Sequence, residues 1–444
     1  MRCANKKIIK FRKRRKIYRG CLICAMVFTC LSLAGLWSLS AYKQIPGNIK
    51  IKLGEELVWN MGLPIAGEII KIEEASEPMA VAVNGQEESN IPTGTIHIDL
   101  SAPVTMRADT LSSYQMDLKL FGIIPFKQVS VDVIENMTLT PVGMPIGIYL
   151  KTDGVLIIGI GDYISLNGSK VSPAEYLLKS GDYILAVDGE PVSDKNTFIK
   201  MVEESGGEAL VLTIRRGEEE FDVKLKPVQN QNGEYKLGIW VRDNAQGVGT
   251  MTFVDEQGNF GALGHGINDV DTSLILQLDS GTLYKTDIIA IKKGTRGDPG
   301  EMTGMIDYAD SNILGVITDN TERGIFGSCN EKMLGKIEAD PLPIGLKQEV
   351  EAGPAQILCT VDGEPAYYDI MIKEVHLDNN NVNKGIVLQV TDPELIALTG
   401  GIVQGMSGAP IIQNGKIVGA VTHVLINDAT SEYGIFIEEM LEHN

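Results

Sequence analysis

The stretch from Cys21 to Leu39 constrains this chain more than any other feature, because it contains no charged side chain. A helix needs about 20 apolar residues to cross the hydrocarbon core of a bilayer, and this stretch has that length. The residues before it include many Lys and Arg but neither Asp nor Glu. By the positive-inside rule, this asymmetry predicts a cytoplasmic segment over residues 1–20 and a transmembrane signal anchor over residues 21–42. The rest of the chain then lies outside the cytoplasm.

A cleaved secretory signal peptide is the alternative interpretation of this region, because it has the same basic and apolar segments. The apolar stretch is long for a signal peptide, and it lacks a clear cleavage site of small residues. These two features favour an uncleaved anchor. Either interpretation exports the remainder of the chain.

The exported part of the chain is acidic. The 444 residues carry a net charge of −19 although the first segment is basic. No basic stripe with interleaved aromatic residues follows residue 20, and an acidic surface repels phosphate backbones, so the sequence argues against nucleic-acid binding. Hydrophobic residues make up 44% and charged residues 22%, which is typical of a folded protein, and the length is sufficient for more than one domain.

The cysteine and histidine patterns give no indication of a metal or a cofactor. Beyond the anchor only Cys329 and Cys359 occur, and the sequence leaves open whether they form a disulfide. Neither a CxxC pair nor an HExxH motif occurs in the exported part. We therefore expect no metal site and no cofactor.

Short alternating runs of apolar and polar residues predict a mainly β protein. Such runs, for example Gln128–Val133, predict a small β-rich domain over residues 43–140. One run, Leu118–Phe126, is apolar enough for a pair of core strands or for a partner surface, and the core is the favoured prediction. Residues 229–444 are again rich in strands with Gly and Asn turns, and their number suits a double β-barrel.

Residues 141–228 have a different order of elements. A Gly-rich apolar stretch precedes a short helix at Ser172–Lys179, the run SGDYILAVDGEPV and a helix at Lys195–Glu204. This order resembles a PDZ domain, and PDZ domains bind extended peptides beside a Gly-rich loop whose amides receive a terminal carboxylate. The resemblance implies that this loop spans Val142–Ile148. A PDZ fold that only packs against its neighbour is the alternative. The expected peptide contacts are Val142, Gly143, Ile146, Gly147 and Ile148.

Ser407 lies in a tight turn within the run GIVQGMSGAPIIQNGKIVGAVTHV. The run resembles the nucleophile turn of chymotrypsin-like peptidases. A nucleophilic Ser needs neighbours without side-chain bulk, so that a substrate carbonyl approaches while backbone amides point at the developing oxyanion. Here the amides of Gly405 and Ser407 are the expected oxyanion donors.

His265 is the best candidate for the general base that a Ser nucleophile requires. It lies among glycines in FGALGHGINDVDT, where a turn exposes its side chain. Its separation from Ser407 along the chain places the two residues on different barrels, as in two-barrel peptidases. The other histidines lie in the first β domain, in strands or hairpins, or at the C-terminus: His97, His376, His423 and His443.

The runs GALGHGIND and GGIVQGMSGAP, behind a PDZ domain and a signal anchor, together resemble the sporulation stage IV protein B peptidases of endospore-forming Firmicutes. That family is grouped with the chymotrypsin-like serine peptidases. The resemblance implies that His265 and Ser407 are the catalytic pair and that Asp392 is the acid that orients His265. Because Asp392 precedes a Pro, it also suits a turn or a helix cap. The rival acids are Asp269, Asp271 and Asp307.

The expected function is that of a serine endopeptidase working outside the cytoplasm. The resemblance further implies a forespore membrane protein that faces the intermembrane space, cleaves itself, and then cleaves a membrane-bound regulator of pro-sigma-K processing. Glu73–Thr93 is the expected site of self-cleavage, whereas Tyr42–Asn48 is where a signal peptidase would cut. A non-catalytic PDZ adaptor and an HtrA-like quality-control protease are the alternatives, although HtrA-type proteases place the PDZ domain after the protease domain.

Overall fold

A computed structural model describes residues 2–59, 62–71, 80–83, 86–88, 96–295, 297–377, 381–424 and 431–442 of the chain. Its contacts divide the chain into two compact units. One comprises Met1–Asn136 with His376–Asn380, and the other comprises Met137–Val375 with Asn381–Asn444. The first unit carries the apolar N-terminal segment, and the second carries the residues with predicted chemistry.

Helix α1 (Arg2–Gln44) opens the first unit. Within it, Tyr18–Gln44 is long and apolar enough to cross a membrane. A helix suits that environment because it satisfies its backbone hydrogen bonds internally. Ala41 in its last turn and Ile45 just after it are buried in the core of the first unit.

The described part of the first unit contains nine strands in two sheets. A five-stranded sheet has the order β1-β9-β8-β3-β6, and a four-stranded sheet has the order β2-β7-β4-β5. Buried and half-buried residues alternate along β8, as expected for a strand with one face on a core. The strands are β1 (Asn48–Lys52), β2 (Glu56–Trp59), β3 (Ile65–Lys71), β4 (Ala80–Val83), β5 (Gln86–Glu88), β6 (Ile96–Asp99), β7 (Val104–Arg107), β8 (Ser113–Leu120) and β9 (Ile124–Ile134).

The run Leu118–Phe126 forms a strand pair, but only part of it belongs to the core. Leu118 is buried, whereas Phe121, Ile123 and Ile124 at the tip of the β8–β9 hairpin are exposed. The prediction of a core strand pair is therefore correct for the pairing and for Leu118, and wrong for Phe121, Ile123 and Ile124. Most of the predicted processing stretch, Glu73–Thr93, lies outside the described residues.

The second unit follows with strands β10 to β32. Its helices are α2 (Lys195–Glu204), α3 (Glu331–Leu334), α4 (Pro393–Thr399) and α5 (Ile437–Met440), with short 3-10 turns at Asp310–Asn312, Lys347–Glu349 and Val382–Lys384. The strands are β10 (Thr138–Pro141), β11 (Pro145–Ile160), β12 (Tyr163–Ile164), β13 (Lys170–Val171), β14 (Tyr183–Val187), β15 (Glu190–Pro191), β16 (Leu210–Arg216), β17 (Glu219–Leu225), β18 (Val228–Gln229), β19 (Tyr235–Lys236), β20 (Ile239–Val254), β21 (Asn259–Ala262), β22 (Leu278–Lys292), β23 (Glu301–Ile306), β24 (Ile313–Thr321), β25 (Gly324–Cys329), β26 (Leu342–Pro343), β27 (Gly353–Thr360), β28 (Pro365–Val375), β29 (Ile386–Val390), β30 (Pro410–Gln413), β31 (Lys416–Val424) and β32 (Ser431–Phe436).

Six of these strands form a first barrel. They pair in the order β11-β22-β24-β25-β21-β20, and β20 pairs back with β11 to close the ring. Ile146, Leu150, Phe260 and Leu283 are among the buried residues inside it. The barrel therefore begins at β11, well before residue 229, where the sequence analysis placed its start.

A PDZ region is inserted between β11 and β20 of this barrel. Its core surrounds Phe198 and Val202 of α2 and includes Val155 at the far end of β11. Ile239 and Val241 at the start of β20 pack against that core. The two long strands thus contribute one half to the barrel and the other half to the PDZ region, so this region begins and ends inside strands and not at the predicted limits, residues 141 and 228.

The prediction that Val142–Ile148 is the peptide-binding loop of the PDZ region is wrong. Gly147 pairs with Val248 of β20 on one side and with Tyr284 of β22 on the other, so neither strand edge is available to a ligand. Val142, Ile146 and Ile148 are buried in the first barrel, and the amide of Gly143 donates to the carbonyl of Met251. The predicted helix at Ser172–Lys179 is likewise a series of turns.

A second, closed barrel follows in the order β27-β28-β29-β32-β31-β30. The predicted mainly β class, with an N-terminal apolar helix, a PDZ domain and β-barrels, is thereby confirmed. Cys329 and Cys359 are free thiols. Burial raises the pKa of Cys329 to about 12, so this thiol stays protonated at neutral pH.

Candidate active site

Ser407 lies in the segment between α4 and β30, where the chain turns into the second barrel. Gly405 and Gly408 on either side have φ values of 101° and 98°, a left-handed region that favours glycine. The half-buried Ser407 hydroxyl donates a hydrogen bond to the carbonyl of Thr422, at 2.6 Å. Glycine is therefore favoured at both positions by the backbone conformation, in addition to the small size that a nucleophile turn needs.

Hydrogen bonds hold the carbonyls of Gly405, Met406 and Ser407 in this turn. The Gly405 carbonyl accepts from the Thr250 hydroxyl at 2.8 Å, and the Ser407 carbonyl accepts from the Thr250 amide at 2.9 Å. The Met406 carbonyl accepts from the Ala409 amide. The amides of Gly405 and Ser407, in contrast, have no acceptor among the described residues. These two groups are the predicted oxyanion donors, and the turn leaves them available to a ligand oxygen.

Two glycines allow the His265 turn and the Ser407 turn to approach closely. A Cβ on Gly408 would lie 2.0 Å from the carbonyl oxygen of Thr250 and 2.5 Å from the amide nitrogen of Leu263. A Cβ on Gly264 would lie 3.0 Å from the Thr422 Cγ2 atom, in the strand that accepts the Ser407 hydrogen bond. The fold thus brings together the chain neighbours of the two predicted catalytic residues, one from each barrel.

His265 has a defined tautomer in this arrangement. Its Nδ1 atom lies 2.9 Å from the carbonyl oxygen of Gly266. Because a carbonyl only accepts, Nδ1 is the donor, and Nε2 is then the atom of the neutral ring that takes up a proton. Burial lowers the pKa of His265, against the opposing effect of the Gly266 hydrogen bond. The ring is therefore neutral, and able to act as a base, at pH 7.

The structure does not place Asp392 against His265. Asp392 is the N-cap of α4, and its carboxylate accepts hydrogen bonds from the amides of Glu394, Leu395 and Asp369. No hydrogen bond or ion pair joins Asp392 with His265 among the described residues. The predicted acid is thus found in the role of helix cap, and the Gly266 carbonyl holds the ring nitrogen that an acid would hold.

The rival acids also have other partners. Asp269 is buried and accepts hydrogen bonds from Arg242 and from the amides of Asp271 and Thr272. Asp271 pairs with the same Arg242 at 2.8 Å. Asp307 accepts a hydrogen bond from the Ala309 amide. None of the three has a described contact with His265.

Substitutions of Asp392 separate the cap from the catalytic acid. Asp392→Asn keeps an oxygen for the cap, so we expect it to retain stability and a kcat within a few-fold of wild type. Asp392→Ala removes the cap and should lower the free energy of unfolding by about 0.5–2 kcal/mol. In a triad, Asp→Asn lowers kcat by about 10⁴. A loss of that size in folded Asp392→Asn would return Asp392 to the catalytic role.

A cleft borders the Ser407 turn on the side of Gly405. It has a volume of about 540 Å³ and lies between β23 and the middle of β20. The Gln404 carbonyl accepts from the Met302 amide at 2.8 Å, which fixes the peptide that carries the Gly405 amide. An extended chain with its carbonyl at the Gly405 and Ser407 amides has room to continue here. Its lining includes Gln246, Glu301, Met302, Met305, Tyr308 and Gln404.

A second groove lies in the PDZ region, between α2 and the chain from Tyr235 to Val241. It has a volume of about 340 Å³, and Ile199 and Trp240 are exposed beside it. The amides of Leu237 and Gly238 at its end have no acceptor among the described residues. This groove is open along α2, whereas the predicted Val142–Ile148 is paired on both strand edges. Sequence reasoning missed it, although the run KLGIW, a Gly among apolar residues, was a usable signal.

Residues 233–441 match the family model described as SpoIVB peptidase S55, and residues 165–216 match the PDZ domain model. A Xylella fastidiosa (strain Temecula1) protein that carries the name zinc metalloprotease is 32% identical over 100 residues, which are 21% of this chain and 21% of that protein. The chain thus spans about a fifth of the length of the curated relatives it matches.

Two solved structures resemble parts of the chain. The PDZ domain of the SdrC-like protein from Listeria monocytogenes is 22% identical, with a TM-score of 0.17, over 20% of this chain and 87% of that one. The Rv3671c protease from M. tuberculosis in its active form is 15% identical, with a TM-score of 0.25, over 45% and 73% of the two chains. The S55 family model begins after β11 and therefore does not include the strand that closes the first barrel. The chain thus carries a PDZ domain, and residues 233–441 match the SpoIVB S55 family of serine peptidases.

Proposed function

We propose that the chain is a serine endopeptidase in which Ser407 is the nucleophile and His265 the general base. The observation that carries this proposal is that the amides of Gly405 and Ser407 have no acceptor among the described residues, while the carbonyls of Gly405, Met406 and Ser407 are hydrogen-bonded. Two amides fixed in this way stabilise an oxyanion without reorganising during the reaction. A non-catalytic adaptor does not need such a pair.

The reaction proceeds in two halves. Ser407 Oγ attacks the scissile carbonyl while His265 Nε2 takes its proton, and the Gly405 and Ser407 amides bind the oxyanion of the tetrahedral intermediate. The imidazolium then protonates the leaving amine, and the peptide bond breaks to leave an acyl ester on Ser407. Water, deprotonated by His265, attacks the ester. Collapse of the second intermediate then releases the acid, while the imidazolium returns its proton to Ser407 Oγ and restores the hydroxyl.

The Ser407 hydroxyl must change its hydrogen bond before attack. It donates to the Thr422 carbonyl in this structure, and rotation about χ1 would redirect its proton to the base. Catalytic hydrogen bonds often form fully only when substrate is bound. Substrate is accordingly proposed to be an extended protein chain that lies in the cleft beside Gly405.

Inhibitor classes test the proposed chemistry directly. The purified full-length protein in detergent should degrade fluorescein-labelled casein, and phenylmethylsulfonyl fluoride should stop the degradation by modifying Ser407. A chelator such as EDTA should leave the rate unchanged. Inhibition by EDTA alone would contradict the serine mechanism and would favour the metalloprotease activity that the name of the Xylella protein states.

The pH dependence follows from the partial burial of His265. The base must be neutral, and burial lowers its pKa, so the neutral form persists to a lower pH than in an exposed His. We expect the acid limb of kcat/KM to have its midpoint below about 6.5, the ordinary value for His. A carboxylate on Nδ1 would raise that pKa instead. A midpoint above 6.5, measured on casein at constant ionic strength, would therefore argue for an acid partner.

A peptide ligand for the PDZ groove is also proposed. The groove is lined by the apolar face of α2, and the two available amides at its end suit a terminal carboxylate. We expect a labelled decapeptide ending in Val to bind with a free carboxylate and to bind far less as the C-terminal amide. Ile199→Asp should reduce the fluorescence anisotropy change that accompanies peptide binding. Leu166→Asp should not, because Leu166 is an exposed apolar residue outside the groove. Equal binding of acid and amide peptides would contradict a carboxylate site.

The biological role is proposed from the family resemblance. We infer that the chain, anchored in the forespore membrane with its body in the intermembrane space, releases itself and then cleaves a membrane-bound regulator of pro-sigma-K processing. Self-release predicts that Ser407→Ala stays full-length and sediments with membranes in cells that lack an active copy. Shortened Ser407→Ala protein would assign the cut to another peptidase, such as a signal peptidase acting near Tyr42–Asn48.

A further inference from the structure

The tip of the β8–β9 hairpin exposes apolar side chains in the first unit. Phe121 is 61% exposed, Ile123 is 80% exposed and Ile124 is 56% exposed. They are neighbours in the chain, at a turn where Phe121 and Gly122 have positive φ. Contiguous exposed apolar side chains of this kind mark a surface that another apolar phase covers.

Strand topology places this tip on the membrane side of the sheet. The chain leaves α1 at Gln44, and β1 pairs in parallel with β9 from Asn48 opposite Ser130. Both strands therefore run away from the end of the helix. The first residues of β9, from Ile124 to Ser130, precede the part that pairs with β1. They therefore extend past the start of β1 toward α1.

Direct contacts fix the same relationship. The ring of Tyr42, in the last turn of α1, stacks edge-on against the Phe126 ring at 5.7 Å between centroids. Lys127 lies over the Tyr42 ring at 4.3 Å and donates to the carbonyls of Tyr42 and Ile45. The start of β9 is thus held against the point where the helix leaves its apolar span.

The depth of the tip follows from standard geometry. A strand rises about 3.3 Å per residue, so Ile124 lies roughly 7 Å beyond Phe126. A helix rises about 1.5 Å per residue, so Leu39, the last residue of the apolar stretch, lies roughly 4.5 Å before Tyr42. The tip therefore reaches the level at which the apolar span of α1 begins. Tyr42 and the exposed Trp37 are of the type that occupies the membrane interface.

We propose that residues 121–124 insert into the membrane leaflet through which α1 leaves the bilayer. The occupant of this surface is lipid, because it is continuous with the membrane-crossing helix that the same unit carries. Beside the tip, Lys119 pairs with Glu68 and Lys127 is held by the two carbonyls named above, so both basic side chains lie in polar surroundings of the kind that the headgroup region supplies. The hairpin gives the first unit a second membrane contact and limits how that unit tilts on α1.

Quenching by brominated lipid tests this insertion in the full-length chain. Ile123→Trp protein in vesicles of phosphatidylcholine and phosphatidylglycerol should lose the emission added by the new Trp when the acyl chains are brominated near the headgroup. Leu111→Trp is the matched control, since Leu111 is an exposed apolar residue of the same unit that precedes β8, at the opposite end of the hairpin. Its added emission should be retained.

Equal emission of Ile123→Trp in brominated and ordinary lipid would overturn the proposal and would assign the tip to a protein partner. The membrane anchor is tested separately by flotation of the same vesicles. Protein that fails to float would contradict the anchor itself, whereas floating protein with an unquenched Trp at position 123 would contradict only the insertion of the tip.

A separate observation concerns Thr250, which connects the first barrel to the nucleophile turn. Thr250 is 2% exposed, its hydroxyl donates to the Gly405 carbonyl and its amide donates to the Ser407 carbonyl. Its own carbonyl accepts from Leu263, two residues before His265. We infer, on the basis of the proposed peptidase function, that Thr250 is a positioning residue. It holds the peptides that follow Gly405 and Ser407, and so fixes the two residues whose amides are the proposed oxyanion donors.

The same strand supplies a matched control for Thr250. Thr252 lies two residues along β20, at a bulge between Met251 and Phe253, and among the described residues its buried hydroxyl has no hydrogen-bond partner. Thr250→Val should lower kcat on casein by about tenfold or more with little change in KM, less than the 10²–10³ that loss of an oxyanion donor costs. Thr250→Ser should restore kcat, and Thr252→Val should leave it unchanged.

Wild-type kcat in Thr250→Val, or equal losses in Thr250→Val and Thr250→Ser, would overturn this role. Failure of the peptidase proposal can be distinguished from failure of this role, because Ser407→Ala tests the former. An active Ser407→Ala protein would refute Ser407 as the nucleophile, independently of the kcat of Thr250→Val.

Discussion

Ser407→Ala is expected to lower kcat by about 10⁶, the loss seen when a serine peptidase loses its nucleophile. The side chain becomes only slightly smaller, and the hydrogen bond that it loses goes to a strand carbonyl, so the free energy of unfolding should change by no more than about 1 kcal/mol.

His265→Ala should cause a comparable loss of activity. Because nucleophile and base act as one unit, the double variant should be no slower than either single variant. Degradation of labelled casein measures each rate, and circular dichroism checks the fold. Losses that multiply in the double variant would contradict a joint role.

Gly408→Ala is the second substitution with a large expected effect. The added Cβ would lie 2.0 Å from the Thr250 carbonyl oxygen and 2.5 Å from the Leu263 amide nitrogen, both backbone atoms of the first barrel. The φ of 98° adds backbone strain. We expect strain and overpacking to cost about 1–3 kcal/mol each. Activity should be lost as well, because the two turns can no longer approach.

Gly415→Ala is the matched control for this prediction. Gly415 follows Asn414 in the next hairpin and also has a positive φ, of 73°, but a Cβ there would meet nothing within 4 Å. It should therefore show the backbone strain alone and keep its activity. Chemical denaturation and casein hydrolysis of both variants separate the two effects. A Gly408→Ala protein as stable and active as Gly415→Ala would show that the barrels do not meet as described.

Local signals in the sequence were sufficient for elements whose structure is set by near neighbours. Helix α2 begins and ends where predicted, because Asp194 caps it through the amides of Asn196 and Thr197. The glycines around Ser407 likewise reveal a turn, since their left-handed φ values are a local requirement. The predicted site at Ser407 and His265 rests on such local patterns.

Long-range pairing accounts for what the sequence analysis missed. A Gly-rich apolar stretch such as Val142–Ile148 suits both a PDZ loop and a barrel strand, and only its pairing with β20 and β22, about a hundred residues away, decides between them. The insertion of the PDZ region into a barrel is likewise not visible in the local sequence, because it too is determined by long-range strand pairing. Asp392 shows the converse, because Asp before Pro is a strong cap signal while the catalytic role came from a resemblance alone.

Labelling with a fluorophosphonate probe tests the central claim most directly. The probe forms a covalent bond only with a Ser that is activated by a base and lies beside oxyanion donors. It therefore identifies the nucleophile even though the natural substrate is not used. We predict that mass spectrometry of the labelled full-length protein places the adduct on Ser407, that His265→Ala labels far more slowly and that Asp392→Asn labels at close to the wild-type rate. Labelling of Ser407→Ala at the wild-type rate, or an adduct on another residue of the wild type, would contradict the account.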